Sequence, residues 1–220
     1  MADRELSGAV VAVVGASGGL GREIAVALTE RGCTVIRANR SGGEGIDVAV
    51  DVRDARAGDA LVALAAERHG RLDGVIDAAG IVAFGDLVDT DDVVVEELFL
   101  TNAMGPMWLA KRVAPMLRES QGFFVNISGV VAESPMPGMA AYSASKAAAA
   151  AATEAIRREF RRMKVQVVDA RPPHTETGLA TRPLAGTAPK IPDGLAPRVV
   201  AERIVAAIIA GEPVIPPDAF

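Results

Sequence analysis

Short apolar runs alternate with amphipathic segments along most of the chain. The first run, residues 9–14, is rich in β-branched side chains and ends at glycines, which is typical of a buried parallel strand. The predicted strands cover residues 9–14, 34–38, 46–50, 75–78, 123–127 and 165–170, and the predicted helices cover residues 20–31, 55–68, 91–99, 102–118, 140–163 and 198–210. This alternation predicts a doubly wound α/β fold, with a mostly parallel sheet and helices on both faces.

The length of 220 residues predicts one domain that spans residues 1–220. Half of the residues are hydrophobic, which is enough for a sizeable core. Residues 171–197 shift to Pro, Thr and Gly and are predicted to form a long loop on the substrate side. A proline-rich tail follows the last predicted helix.

Charge and cysteine content exclude several classes of protein. The formal net charge of −5 argues against nucleic acid or an anionic membrane as the main partner. The single cysteine, Cys33, excludes a disulfide framework and a cysteine-rich zinc site. His69 and His174 are far apart in the sequence, which argues against a metal centre built on histidines. Without a signal peptide or a long apolar span, the chain is predicted to be a soluble cytoplasmic protein.

A glycine-rich turn lies between the first predicted strand and the first predicted helix. Its sequence is Gly15-Ala16-Ser17-Gly18-Gly19-Leu20-Gly21. Small residues let the backbone approach a diphosphate, and the helix N-terminus offers free N–H groups. The alternative is a strand–helix turn that binds nothing. No lysine followed by Ser or Thr closes the turn, which excludes a Walker phosphate site.

The end of the second strand carries the signal for cofactor choice. An acid there would bond the adenosine ribose and select NAD, whereas an arginine accommodates the 2′-phosphate of NADP. This chain has Asn39 in place of the acid and Arg40 beside it. The pattern favours NADP(H), with NAD(H) as a possible cofactor, against the alternative that Arg40 is a solvated surface charge.

The segment Tyr142-Ser143-Ala144-Ser145-Lys146, together with the glycine-rich turn, resembles the short-chain dehydrogenase/reductase family from Val10 to about Leu179. Tyr142 and Lys146 are four residues apart and share a helix face. The resemblance implies that Tyr142 protonates a carbonyl oxygen while NAD(P)H delivers hydride. It also implies that Lys146 holds the nicotinamide ribose. A nearby ammonium is expected to lower the pKa of Tyr142.

Further positions take their roles from the same resemblance. Asn102 matches the family asparagine of a water relay, with a turn residue as the alternative. Asp51 and Val52 match the pair that contacts adenine, with a helix N-cap as the alternative for Asp51. Lys146 alone would be an exposed helix lysine. The expected cofactor contacts are completed by Ala79, Gly80, Pro172, Thr175 and Thr177, and a homodimer or homotetramer is implied.

The chain departs from the family pattern at several positions. Ala78 replaces an asparagine, and Gly129 stands thirteen residues before Tyr142, where the family has its catalytic serine. Ser128 comes one residue early and would face away from Tyr142 on a regular strand. A turn at Gly129 could bring this hydroxyl round as a substrate anchor. Without this anchor, the substrate oxygen loses one hydrogen-bond donor, which corresponds to a fall of about 10²–10³ in rate.

Two functions are compatible with these residues. The first is an NADP(H)-dependent oxidoreductase that transfers hydride between the cofactor and a small carbonyl or alcohol. The second is an NADP(H)-binding protein with weak or no turnover, acting as a redox sensor or assembly partner, which Gly129 and Ala78 favour. His174 either enters the substrate pocket or has a structural role, and no metal is expected.

Overall fold

Seven parallel strands form the sheet at the centre of the protein, which a computed structural model describes over residues 3–190 and 192–220. The strands are β1 Val10–Val14, β2 Thr34–Asn39, β3 Val48–Ala49, β4 Gly74–Asp77, β5 Phe123–Ile127, β6 Gln166–Ala170 and β7 Val214–Ile215. Their order is β3-β2-β1-β4-β5-β6-β7, and every neighbouring pair is parallel. The order reverses between β1 and β4, which leaves a crevice at the carboxyl edge.

Helices cover both faces of this sheet. They are α1 Gly19–Glu30, α2 Ala57–His69, α3 Asp92–Phe99, α4 Gly105–Ser120, α5 Ala140–Phe160 and α6 Pro197–Ala210. Apolar side chains of α1 and α6, such as Ile24 and Ile204, pack on one face, and those of α2 and α4, such as Leu61 and Val113, pack on the other. The doubly wound fold expected from the alternating pattern is therefore confirmed.

The edge strands differ from the sequence-based expectation. The third strand has two residues rather than the predicted 46–50, and the proline-rich tail contains β7, which was not predicted. Pro213 and Pro216 flank β7 and limit it to two residues, because proline cannot donate to a strand ladder and is tolerated only at a sheet edge. A segment of two residues shows too little periodicity for a strand to be predicted there.

A wide helical turn precedes α4 where a regular helix start was predicted. Residues Leu100–Met104 form a π-helical turn that joins α3 to α4. Pro106 lies in the first turn of α4 and has no N–H, so it cannot continue the regular i→i−4 ladder. Such turns occur frequently at functional sites, and this one contains Asn102. Across residues 3–190 and 192–220, no helix has the combined length and apolarity needed to cross a membrane.

Candidate active site

A cleft of about 670 Å³ opens at the carboxyl edge of the sheet. The loops that follow strands β1 to β6 form its walls. It brings together all the predicted site residues except Asn102: Gly15, Ser17, Gly18, Gly19, Leu20, Gly21, Asn39, Arg40, Asp51, Val52, Ala79, Gly80, Ser128, Tyr142, Lys146, Pro172, Thr175 and Thr177. The strand order alone explains this convergence, because parallel strands end at a common edge.

The glycine-rich turn forms one end of the cleft. Gly15 has φ +81°, and a Cβ there would lie 2.8 Å from the backbone of Ala78. A Cβ at Gly21 would lie 2.2 Å from the Gly15 oxygen, so both positions require glycine. Helix α1 begins at Gly19 without a side-chain cap and without an acid in its first turn. Its uncapped N–H groups and positive potential fit a diphosphate.

The loop after β6 approaches the same turn from the opposite side. A Cβ at Gly19 would lie 2.6 Å from the backbone oxygen of Thr177. This loop therefore closes against the start of α1, and Thr175 and Thr177 line the cleft beside the glycine-rich turn.

An ion-pair chain connects the loop after β3 to α3. The Asp51 carboxylate accepts three hydrogen bonds from the Arg53 guanidinium, at 2.7, 3.0 and 3.3 Å. Arg53 Nη1 lies 3.0 Å from Glu97 Oε2. The Arg53 hydrogen bonds are the main reason that the pKa of Asp51 lies below its usual range, and Arg40 lowers it further. Because α2 begins at Ala57, the alternative that Asp51 is its N-cap is wrong. Sequence reasoning missed the role of Arg53.

Neither Asn39, at the end of β2, nor Arg40, which follows it, supplies a carboxylate for a ribose. The Asn39 Oδ1 accepts hydrogen bonds from the backbone N–H groups of Ser41 and Gly42, at 3.0 and 2.7 Å. Arg40 follows with an exposed side chain at the cleft wall. These two side chains therefore offer a guanidinium and no carboxylate where an adenosine 2′-phosphate would lie in this fold.

Tyr142 and Lys146 lie in the cleft on one face of α5. The Lys146 Nζ donates to the backbone oxygen of Ile127 at 2.8 Å, and the residue is only 7% exposed. The exposed-lysine alternative is therefore wrong. Burial lowers the pKa of Lys146 to about 8, although the carboxylates of Asp77 and Asp169 oppose this. Burial also raises the pKa of Tyr142 to about 12, so the expected lowering by Lys146 is wrong for this structure: desolvation of the phenol is the larger effect.

Asn102 lies behind the wall of the cleft and does not line it. Its Oδ1 accepts the N–H of Ile81, and its Nδ2 donates to the Ile81 oxygen and to Ser145 Oγ, all at 3.0 Å. The side chain is 2% exposed, so Asn102 is not an ordinary surface turn residue. It fastens the loop after β4 to the helix that carries Tyr142 and Lys146.

The Ser128 hydroxyl is directed away from the expected position of a substrate. It is completely buried and donates to Asp169 Oδ1 at 2.6 Å. Gly129 does form a turn, with φ 84° and ψ 165°, but this turn does not release the hydroxyl from Asp169. The idea that the turn brings Ser128 round as a substrate anchor therefore finds no support in this geometry. Asp169, which sequence reasoning missed, explains the orientation.

The end of the cleft beside Tyr142 is apolar. Val82, Phe84, Val131 and Met139 form a small cluster there, against which Tyr142 packs. The loop after β6 is fastened to it by two backbone hydrogen bonds: the Leu184 N–H donates to the Val82 oxygen at 2.7 Å, and the Phe84 N–H donates to the Ala185 oxygen at 3.0 Å.

The two histidines differ in position. His174 lines the cleft, and its Nε2 lies 3.2 Å from Glu176 Oε1. His69 is exposed at the last turn of α2, and Cys33 is buried with its thiol donating to the Leu6 oxygen. Over the part of the chain that the structure describes, no cluster of His, Cys, Asp and Glu is placed to hold a metal ion.

The sequence profile of the family described as "short chain dehydrogenase" matches residues 9–185. The chain belongs to this family. The match covers the glycine-rich turn, Tyr142 and Lys146, and it confirms the resemblance found from the two motifs. It also confirms, at the level of the family, that the chain is related to oxidoreductases.

Individual relatives support the same assignment. The chain is 32% identical over 219 residues to the ketoacyl reductase HetN of Nostoc sp., covering 92% of this chain and 76% of that protein. It spans only 64% and 49% of the lengths of two further dehydrogenases, from Anopheles gambiae and Sesamum indicum.

Among solved structures, a short-chain dehydrogenase from Burkholderia cenocepacia in complex with NADP superposes with a TM-score of 0.83. It is 26% identical, and the match covers 96% of this chain and 88% of that one. A short-chain dehydrogenase/reductase from Burkholderia phymatum in complex with NAD gives a TM-score of 0.86 at 24% identity, over 96% and 89% of the two chains, and supports the fold.

Proposed function

We propose that the protein is an NADP(H)-dependent oxidoreductase that transfers hydride between the cofactor and a small carbonyl or alcohol. The observation that carries this proposal is a cleft with an uncapped helix N-terminus at one end and the Tyr142–Lys146 pair at the other. The first feature fits a diphosphate, and the second fits proton transfer to oxygen.

The residues of the cleft fit a dinucleotide along its whole length. The turn from Gly15 to Gly21 would hold the diphosphate, and Asp51 with Val52 would contact the adenine. Arg40, exposed at the wall, would pair with the 2′-phosphate, for which a guanidinium is well suited. Ala79, Gly80, Pro172, Thr175 and Thr177 would complete the contacts.

The bound cofactor would supply hydride, and side chains of this protein would transfer the proton. A phenol with a pKa raised to about 12 stays protonated at neutral pH, which suits Tyr142 as the acid that protonates a carbonyl oxygen. The ammonium of Lys146 would stabilise the phenolate as that proton leaves. Asn102 would act as a positioning residue, because its three hydrogen bonds connect the loop after β4 to α5.

The walls beside Tyr142 favour a substrate with an apolar body. Val82, Phe84, Val131 and Met139 offer no hydrogen bonds to such a molecule, and Gly129 supplies no hydroxyl. The substrate oxygen would therefore rely on the Tyr142 phenol, since the Ser128 hydroxyl already donates to Asp169. Polar sugars and other polyhydroxylated carbonyls would lose hydrogen bonds to water on entering this end of the cleft.

The test is consumption of NADPH with a panel of aliphatic and aromatic ketones and aldehydes. We expect turnover with apolar members, and we expect Tyr142→Phe to abolish it while leaving NADPH affinity within a few-fold, because the ring is retained. Turnover that survives in Tyr142→Phe would contradict the assigned acid.

A second function is favoured by the Ser128–Asp169 hydrogen bond and by Gly129. In that case the protein binds NADP(H) but turns over little or nothing, as a redox sensor or assembly partner. Tight NADPH binding without reduction of any panel carbonyl would support this function over the first. A homodimer or homotetramer and a cytoplasmic location remain proposals in either case.

A further inference from the structure

Three polar side chains form a buried row across the carboxyl ends of β4, β5 and β6. Asp77 is the register partner of Asn126, and Asn126 is the register partner of Asp169. Register partners in a parallel sheet point to the same face. Because Asn126 Nδ2 donates to Thr153 Oγ1 on α5 at 2.9 Å, the row faces α5. All three residues are 3% exposed or less.

The ammonium of Lys146 lies against this row. Its Nζ bonds the backbone oxygen of Ile127, which follows Asn126 on the central strand of the three. Neighbouring strands are about 4.8 Å apart, so the strands that carry Asp77 and Asp169 lie on either side of the strand whose carbonyl binds the ammonium. A Cβ at Gly80, three residues after Asp77, would lie 3.5 Å from the same Nζ.

The two flanking carboxylates differ in their own partners. Asp169 accepts hydrogen bonds from Ser128 Oγ at 2.6 Å and from Arg171 Nε at 2.7 Å, so its charge is already compensated. Asp77 Oδ1 accepts only the N–H of Ala79, at 3.1 Å. Its Oδ2 is buried without a hydrogen-bond donor anywhere in the described chain. A buried charge of this kind is unfavourable unless a cation lies near it.

We propose that Asp77 is a positioning residue that keeps the buried Lys146 ammonium charged at the base of the cleft. The neighbouring charges are consistent with this role. Burial lowers the pKa of Lys146 and raises that of Asp77 to about 6, and the attraction between them opposes both shifts. Asp169 also faces Lys146 from β6, but Arg171 is paired with it. The importance of this charge for catalysis rests on the proposed function, in which Lys146 stabilises the Tyr142 phenolate.

The test measures the titration of Lys146 directly in the free protein. The chain has four lysines, so selective ¹³Cε labelling gives four signals, and Lys146→Arg identifies the one of interest. We expect a midpoint near 8 in the wild type, and a fall of about 1 pKa unit or more in Asp77→Asn. The matched control is Asp73→Asn, which removes another buried carboxylate just before β4, where it pairs with Arg71. It should leave the midpoint unchanged.

A reciprocal measurement covers the case in which Asp77→Asn fails to fold. The ¹³Cγ signal of Asp77 should titrate near 6 in the wild type and at a higher pH in Lys146→Met, because coupling between two groups is mutual. An unchanged Lys146 midpoint in folded Asp77→Asn, or an unchanged Asp77 midpoint in Lys146→Met, would overturn the proposal.

These titrations use neither cofactor nor substrate, so their outcome does not depend on whether the protein is an oxidoreductase. If the protein does reduce carbonyls, the alkaline limb of its kcat profile should move to lower pH in Asp77→Asn and stay in place in Asp73→Asn. A purely structural role for Asp77 would change the size of kcat but not the position of this limb.

Discussion

Restoring the family serine at Gly129 should destabilise the protein. This glycine has φ 84° and ψ 165°, a backbone region that is essentially restricted to glycine. The space around it is open, since an added Cβ would meet only the Pro172 oxygen, at 3.9 Å. The penalty for a side chain is therefore backbone strain and not a steric clash.

The expected size follows from the dihedral angles. A non-glycine residue in such a region lowers the free energy of unfolding by about 1–3 kcal/mol. For a domain of this size, each kcal/mol corresponds to about 2–4 °C in Tm, so Gly129→Ser should lower Tm by about 2–12 °C.

Gly129→Ala is the matched control, because it carries the same backbone strain without a hydroxyl. Thermal unfolding followed by circular dichroism should show similar losses in the two variants, and the ratio of their kcat/KM values then isolates the hydroxyl. We expect that ratio to stay below the 10²–10³ associated with an oxyanion donor, because an added Cβ would contact only the Pro172 oxygen, so no neighbouring side chain holds the new hydroxyl in place. Two variants as stable as the wild type, with Gly129→Ser far more active, would refute this reasoning.

Four further predictions follow from individual contacts. Ser128→Ala removes a hydrogen bond to the buried Asp169 carboxylate and should lower the free energy of unfolding in urea by about 1.5–3 kcal/mol; unchanged stability would contradict the bond. Arg40→Ala should weaken NADP(H) binding by about tenfold or more with little effect on NAD(H) binding, whereas the control Arg56→Ala, at an exposed arginine, should change the binding of neither cofactor. Equal losses of NADP(H) and NAD(H) affinity in Arg40→Ala would show that Arg40 does not contact the 2′-phosphate. Tyr142 is the only tyrosine, so phenolate absorbance should report a midpoint near 12, and a midpoint at or below 10 would contradict the desolvation of this half-buried phenol. Folded Asp77 keeps its proton up to about pH 6 and the unfolded residue only to about 3.8, so the folded state binds more protons in this window. Wild-type stability should therefore fall, relative to Asp77→Asn, by about 2–3 kcal/mol as the pH rises from 4 to 7, and a constant difference would contradict the burial of this carboxyl.

The architecture and most of the cleft were predictable from the sequence. Buried parallel strands are short apolar runs with glycines behind them, and residues 9–14 and 123–127 carry that signal in full. The glycine-rich turn and the Tyr142–Lys146 spacing depend only on local backbone geometry, so their positions could be predicted without knowledge of the rest of the chain.

The contacts that orient the site were not predictable in the same way. Ser128 meets Asp169 from the neighbouring strand, and Arg53 meets Glu97 on α3, so both pairs depend on the register between distant elements. The sign of the Tyr142 pKa shift also depends on burial, which the spacing to Lys146 does not encode. Edge strand β7 was not predicted because two residues between prolines show no periodicity.

The central claim is that a nicotinamide dinucleotide lies along the cleft, with its diphosphate against the turn before α1 and its reactive ring beside Tyr142. A crystal structure of the protein with NADP⁺ tests this most directly. We predict the diphosphate over the N–H groups of Gly19 and Leu20, and the nicotinamide ring in contact with the Tyr142 side chain. A ring bound outside the cleft, or a cleft that stays free of nucleotide at saturating NADP⁺, would contradict the account.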